Sequence, residues 1–105
     1  MSSLTNKKVQ DLDQLVKKLR ALLPIIEKKF KVKTLEVFGS YVHAEQSKDS
    51  DLDLLVEFHE TIDLFEYIEL EDFLTEQLGV KVDLVMKDTL KPRIKHRILS
   101  EAVPI

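Results

Sequence analysis

The chain contains no cysteine, which excludes disulfides, thiolate zinc sites and cysteine nucleophiles, and leaves any metal to oxygen or imidazole ligands. No apolar run approaches the roughly 18 to 20 residues that a membrane span needs. The N-terminus has no basic stretch leading into an apolar block. The expectation is a cytoplasmic protein without a membrane anchor. An excess of positive charge is missing too. With a formal net charge of −3 the chain is not expected to bind nucleic acid strongly, because nonspecific affinity for a phosphate backbone comes from clustered Lys and Arg. Internal repeats, low-complexity tracts and Gly/Ser linkers are absent, so nothing marks a domain boundary.

What is present is the balance of a folded globular domain, 44% hydrophobic and 33% charged over 105 residues. That length supports one core, so residues 1–105 are read as one domain, with a helical segment over 1–31 and a core over 32–105. Thr5 is placed to cap a helix whose apolar positions Val9, Leu12, Leu15, Val16, Leu19, Leu22 and Leu23 recur at helical spacing. Pro24 removes a hydrogen bond and clashes with the preceding turn, which predicts a kink or break before Ile25, Ile26 and Phe30 continue as a second short segment.

Val32 to Phe38 is rich in β-branched and aromatic residues and predicts a strand that ends in a tight turn at Gly39. Leu52 to Phe58 alternates, with Leu52, Leu54, Val56 and Phe58 on one face and Asp53, Leu55 and Glu57 on the other. Asp63 and Glu66 form a capping box that opens a helix ending at Gly79. Val80 to Met86 predicts a third strand, and Pro92 suits the first position of a last helix carrying Ile94, Ile98, Leu99 and Ala102. The polar stretch Glu45 to Ser50 reads as a loop. The predicted class is α+β: a small mixed sheet in a two-layer arrangement with flanking helices.

The chemistry-bearing residues lie at the strand ends. Asp51 and Asp53 sit two apart at the head of a strand, so their carboxylates leave the same face about 6 to 7 Å apart at the backbone. Like charges that close repel, and a cation between them relieves the repulsion. Magnesium suits such a site because it takes oxygen ligands, one or two carboxylates and the phosphates of a substrate. Asp83 alternates with Val82 and Leu84 in an otherwise apolar strand, where a lone carboxylate wants a partner. If that strand lies beside the one bearing Asp53, three carboxylates converge, as two-metal phosphoryl transfer requires. Gly39 lets backbone amides approach a ligand without Cβ interference, and Ser40 adds a hydroxyl. Should Ser40 also begin a short helix through Tyr41 to Ala44, the positive pole of that helix would face a triphosphate. The alternative for each feature is an ordinary turn or a solvated strand end.

Taken together, Gly39-Ser40, ten intervening residues and Asp51-Leu52-Asp53-Leu54-Leu55-Val56 resemble the signature of the DNA polymerase β nucleotidyltransferase superfamily. The continuation through Val82-Asp83-Leu84-Val85 and a basic final helix resembles its small MNT group. The resemblance implies that Gly39 and Ser40 bind the triphosphate of ATP, that Asp51 and Asp53 ligate magnesium, and that Asp83 completes the metal site and helps activate the acceptor hydroxyl. Ser50, which precedes Asp51 as in the family, is implied to order the loop or touch phosphate. The implied reaction is transfer of AMP to a tyrosine of a HEPN-domain toxin, with the chain acting as antitoxin.

Where the family usually reads Gly-Ser-Arg-Ala-Arg-Gly, this chain reads Gly39-Ser40-Tyr41-Val42-His43-Ala44, so two arginines and a glycine are missing. His43 replaces an arginine only partly, being shorter and near neutral at pH 7. That departure motivates a second reading, a weak or inactive domain that neutralises its partner by steric contact. A third is modification of a small molecule or an RNA end, against which the short chain counts. His43, His59 and His96 have no metal-ligand spacing, and Glu57 lies roughly 13 Å along the strand from Asp53, outside the site. Acidic residues gather from Glu57 to Glu76, and basic ones in Lys91, Arg93, Lys95, His96 and Arg97, which polarises the surface. So small a domain also suits pairing into a homo-oligomer, though no stripe in the sequence identifies an interface.

Overall fold

The computed structural model describes residues 12–42 and 51–105. Thr5 and Val9, as well as His43, Ala44 and the Glu45 to Ser50 loop, lie outside the described residues. The elements in chain order are α1 (Leu12–Phe30), β1 (Val32–Phe38), β2 (Leu52–Phe58), α2 (Leu64–Leu78), β3 (Val82–Met86), α3 (Pro92–Glu101) and β4 (Val103–Pro104). The strands form one mixed sheet in the order β3-β2-β1-β4, with β1 antiparallel to β2 and β4, and β2 parallel to β3. This is the α+β class expected from the sequence.

α1 lacks the break expected at Pro24. It runs unbroken from Leu12 to Phe30 with Pro24 inside it. Leu15, Leu19, Ile26 and Phe30 are buried and fall on one stripe, so the apolar phase continues across the proline and both halves are held by the same core. Pro24 itself is exposed, which leaves the carbonyl it cannot bond on the side where water replaces the lost partner. Tertiary burial therefore outweighs the local penalty.

The buried cluster draws on α1 (Leu15, Leu19, Ile26), β1 (Val37), β2 (Leu52, Leu54, Val56), α2 (Leu70, Leu74, Leu78) and β3 (Val82, Leu84). One sheet face is thus closed by α1 and α2, whose contact includes Phe30 and Phe73 with ring centroids 5.8 Å apart. α3 contributes no fully buried side chain. At the start of α2 the capping box is formed. Glu66 N–H donates to Asp63 Oδ1 at 2.8 Å, and Asp63 N–H donates to Glu66 Oε1 at 3.3 Å. Gly79 ends the helix at φ 75, a left-handed position that favours glycine.

Two boundaries and one strand differ from expectation. α3 ends at Glu101, so Ala102 caps the helix and is not carried in it. β3 begins at Val82 instead of Val80, because the chain is still turning out of α2 there and pairing with β2 starts at Leu52 opposite Val82. β4 was not expected. Its two residues lie against Val37 and Glu36, and Ile105 N–H donates to Leu35 O at 3.0 Å. Pro104 is tolerated because an edge strand has one side free of ladder bonds. No helix among the described residues is long and apolar enough to cross a membrane.

Candidate active site

Facing residues in the sheet ladder place the acidic side chains. Phe38 pairs with Asp53 across the antiparallel β1·β2 ladder, and Asp53 stands opposite Asp83 across the parallel β2·β3 ladder. Paired positions share a face, so Asp53 and Asp83 project side by side from the face opposite the α1 and α2 layer. Asp51 immediately precedes β2, two residues from Asp53.

Gly39 follows Phe38 directly and has φ +83, the left-handed region. A Cβ there would collide with Oδ2 of Asp53 and stand 3.1 Å from its Cγ. The glycine is therefore required twice: by its own backbone angle, and because the carboxyl group of Asp53 lies against the turn. Gly39 to Tyr41 form a single 3-10 turn, closed by Val42 N–H donating to Gly39 O at 3.1 Å. The helix expected through Ala44 is described only as this turn.

Asp53 is half-buried, and its carboxyl is pushed up from 3.8 to about 6, first by burial and then by the charges of Asp83 and Asp51. The three carboxylates are thus electrostatically coupled. Asp83 itself is exposed, so water solvates it and the expectation of a lone carboxylate in need of a partner does not hold; its charge instead acts on Asp53. Among the described residues no three His, Asp or Glu side chains close into a metal-ligating group, so the acids are neighbours without forming a cage. The donor set nevertheless fits a hard divalent cation: oxygen only, anionic, and destabilised by mutual repulsion that such a charge would relieve.

Tyr41 is 3% exposed and packs in the core. Its hydroxyl is raised above the ordinary tyrosine value, mainly by burial and secondly by the charge of Asp51. The residue that departs from the usual arginine is thus a core side chain and offers no cation to a triphosphate. Ser40 lies in the turn, while Ser50 and His43 fall outside the described residues. His59 and His96 are exposed, as expected of surface residues.

Sequence reading missed the residues that hold β3. Thr75 Oγ1 accepts from Val82 N–H at 3.0 Å, Glu71 Oε2 accepts from Leu84 N–H at 2.9 Å, and the Tyr67 hydroxyl donates to Leu84 O. Tyr67, Glu71 and Thr75 are four residues apart along one stripe of α2. They satisfy the outer backbone groups of an edge strand on either side of Asp83, and so keep Asp83 in register with Asp53. A polar stripe within an otherwise apolar helix face was the available signal. Farther along the same sheet face, Lys87 Nζ bonds Glu36 Oε2 at 3.0 Å and stands 3.8 Å from Glu57 Oε1. Glu57 is engaged there, outside the Asp51 and Asp53 group, as expected.

Known proteins resemble this chain in sequence and in fold. Residues 19–105 match the family described as Nucleotidyltransferase domain. The protein adenylyltransferase MntA of Thermococcus cleftensis is 47% identical over 78 residues, covering 74% of this chain and 79% of that one. A solved "putative minimal nucleotidyltransferase" superposes with a TM-score of 0.80 at 38% identity, covering 91% of this chain and 97% of the other. A toxin-antitoxin structure with AMP-PNP superposes with a TM-score of 0.64 at 26% identity, covering 88% and 69%.

Proposed function

The chain belongs to the nucleotidyltransferase domain family, and on that premise we propose that it transfers AMP from ATP to a tyrosine hydroxyl of a HEPN-domain toxin and so acts as an antitoxin. The observation that carries the reading is the alignment of Asp53 with Asp83 on adjacent parallel strands, with the Asp53 carboxyl against Gly39. A relative 47% identical to this chain is named a protein adenylyltransferase, and a structural neighbour is a toxin-antitoxin assembly with an ATP analogue. Both support the donor and the class of acceptor. ATP and magnesium are abundant in the cytoplasm, where we place the protein.

In this proposal Asp51 and Asp53 hold magnesium, and Asp83 completes the set. Magnesium, when bound, supplies positive charge that stabilises the entering and leaving oxygens. Gly39 lets the turn come close to the triphosphate, and Ser40 and Ser50 add hydroxyl donors to it. Exposed Asp83 faces the side from which an acceptor arrives, and it takes the proton as the tyrosine oxygen bonds to the α-phosphorus. The bond from that phosphorus to the bridging oxygen breaks, and pyrophosphate leaves. Asp53 is held in place by the turn and by its two strand neighbours, so the site needs little rearrangement before the reaction.

The second reading, neutralisation by steric contact, is favoured by one observation: Tyr41 is buried where the resemblance has an arginine. Co-expression with the toxin separates the two readings. The expected result is that wild-type protein adds the mass of AMP to a toxin tyrosine and restores growth. Asp53→Asn should still bind the toxin yet do neither. Full neutralisation by Asp53→Asn would establish the steric reading.

A further inference from the structure

Two surface patches on the helical layer serve neither the core nor the carboxylate site. On the first turns of α2, Leu64, Phe65 and Ile68 are 67%, 83% and 44% exposed. Adjacent apolar side chains this exposed mark an interaction surface. α2 carries five carboxylates and no Lys or Arg, and Glu69 and Asp72 stand one helical turn beyond Phe65 and Ile68. On α1, Pro24, Ile25, Lys28 and Lys29 line a shallow hollow of about 480 Å³, and Ile25 is 48% exposed. α1 carries five Lys and Arg against two acidic residues. Lys29 lies 5.4 Å from the Phe30 ring centroid and 6.0 Å from that of Phe73, while Lys28 is exposed beside the hollow.

We propose that these patches meet in a two-fold symmetric dimer of this chain, with Phe65 of each copy seated in the α1 hollow of the other and Glu69 facing Lys28. The knob is acidic at its rim and the hollow is basic, so the two are complementary in charge. Pairing α2 with α2 is disfavoured because it opposes two acidic helices. α1 and α2 pack together on the same sheet face, so a two-fold axis between two helical layers makes the contact twice and closes the assembly. The surface used is opposite the face bearing Asp53 and Asp83, so dimerisation leaves the carboxylates accessible.

Sedimentation velocity on the full chain at tens of micromolar tests this. Wild-type protein should sediment at twice the 12.2 kDa monomer mass, and dissociate as sodium chloride is raised. Phe65→Ala should weaken the dimer at least tenfold. Because Phe65, Lys28 and Glu69 are exposed, circular dichroism should be unchanged in the variants, and their melting should match that of wild type diluted until it is monomeric. Lys28→Glu and Glu69→Lys should each be monomeric alone, yet pair when mixed, since the mixed dimer keeps one native charge pair and gains one reversed pair. A monomeric wild type across the concentration range would overturn the proposal and leave the patches to a different partner. So would a dimer unaffected by all three substitutions, or variants that fail to pair on mixing.

Discussion

Replacing Asp53 by asparagine should stabilise the metal-free protein at neutral pH, although it removes a residue of the proposed site. In the folded chain the Asp53 carboxyl is raised to about 6 from 3.8, by burial and by Asp83 and Asp51. The folded state therefore binds a proton more readily than the unfolded state between those values. The stability this contributes is fully present below about pH 4 and is lost as the pH rises through about 6. At pH 7 the ionised carboxylate costs at most about 3 kcal/mol, taking about 1.4 kcal/mol per pKa unit. Because the group is half-buried and water screens it, about 1 to 2 kcal/mol is the realistic size.

For a chain of this length, 1 kcal/mol moves the melting midpoint by about 5 °C. Asp53→Asn should melt about 5 to 10 °C above wild type at pH 7, and within a degree or two of it at pH 4, by differential scanning fluorimetry without divalent cations. Magnesium should then raise the wild-type midpoint, by about 2.7 kcal/mol at a hundredfold excess over its dissociation constant, and leave the variant unchanged. Equal midpoints at pH 7, or the same gain at pH 4 and pH 7, would refute the electrostatic account of the site.

Gly39→Ala should cost about 1 to 2 kcal/mol from the left-handed backbone alone, plus the displacement of the Asp53 carboxyl, and urea titration with an AMP-transfer assay should register both losses. Glu71→Leu leaves the Leu84 amide without its partner and should cost about 1 to 3 kcal/mol, with faster hydrogen exchange at Leu84 than at Leu54. Lys87→Met strips the counter-charge from Glu36 and Glu57 and should lower stability by about 1 to 3 kcal/mol. Magnesium affinity should stay unchanged, because the cluster sits at the other end of the face from Asp53.

Strands β1 and β2 were legible to the residue because β-branched runs end at strong punctuation, Gly39 on one side and the polar stretch before Asp51 on the other. The capping box and Gly39 were equally visible, since each is a local requirement. What the sequence could not show depends on packing. Whether Pro24 broke α1 turned on Ile26 and Phe30 being buried in phase with Leu15 and Leu19. Whether Asp53 met Asp83 turned on which strand lay beside β2, and a parallel neighbour requires the α2 crossover to return the chain to that edge. The Tyr67, Glu71 and Thr75 stripe was invisible as a clamp because its partners are backbone atoms of β3. The two residues of β4 were too few to carry a pattern.

Calorimetric titration of ATP and magnesium into the purified protein, beside the Asp51→Asn, Asp53→Asn double variant, tests the central claim most directly. Binding should require magnesium in the wild type and be lost in the double variant, whose fold is intact by circular dichroism. Absence of binding to any nucleoside triphosphate by well-folded wild-type protein, or equal binding by both, would contradict that claim.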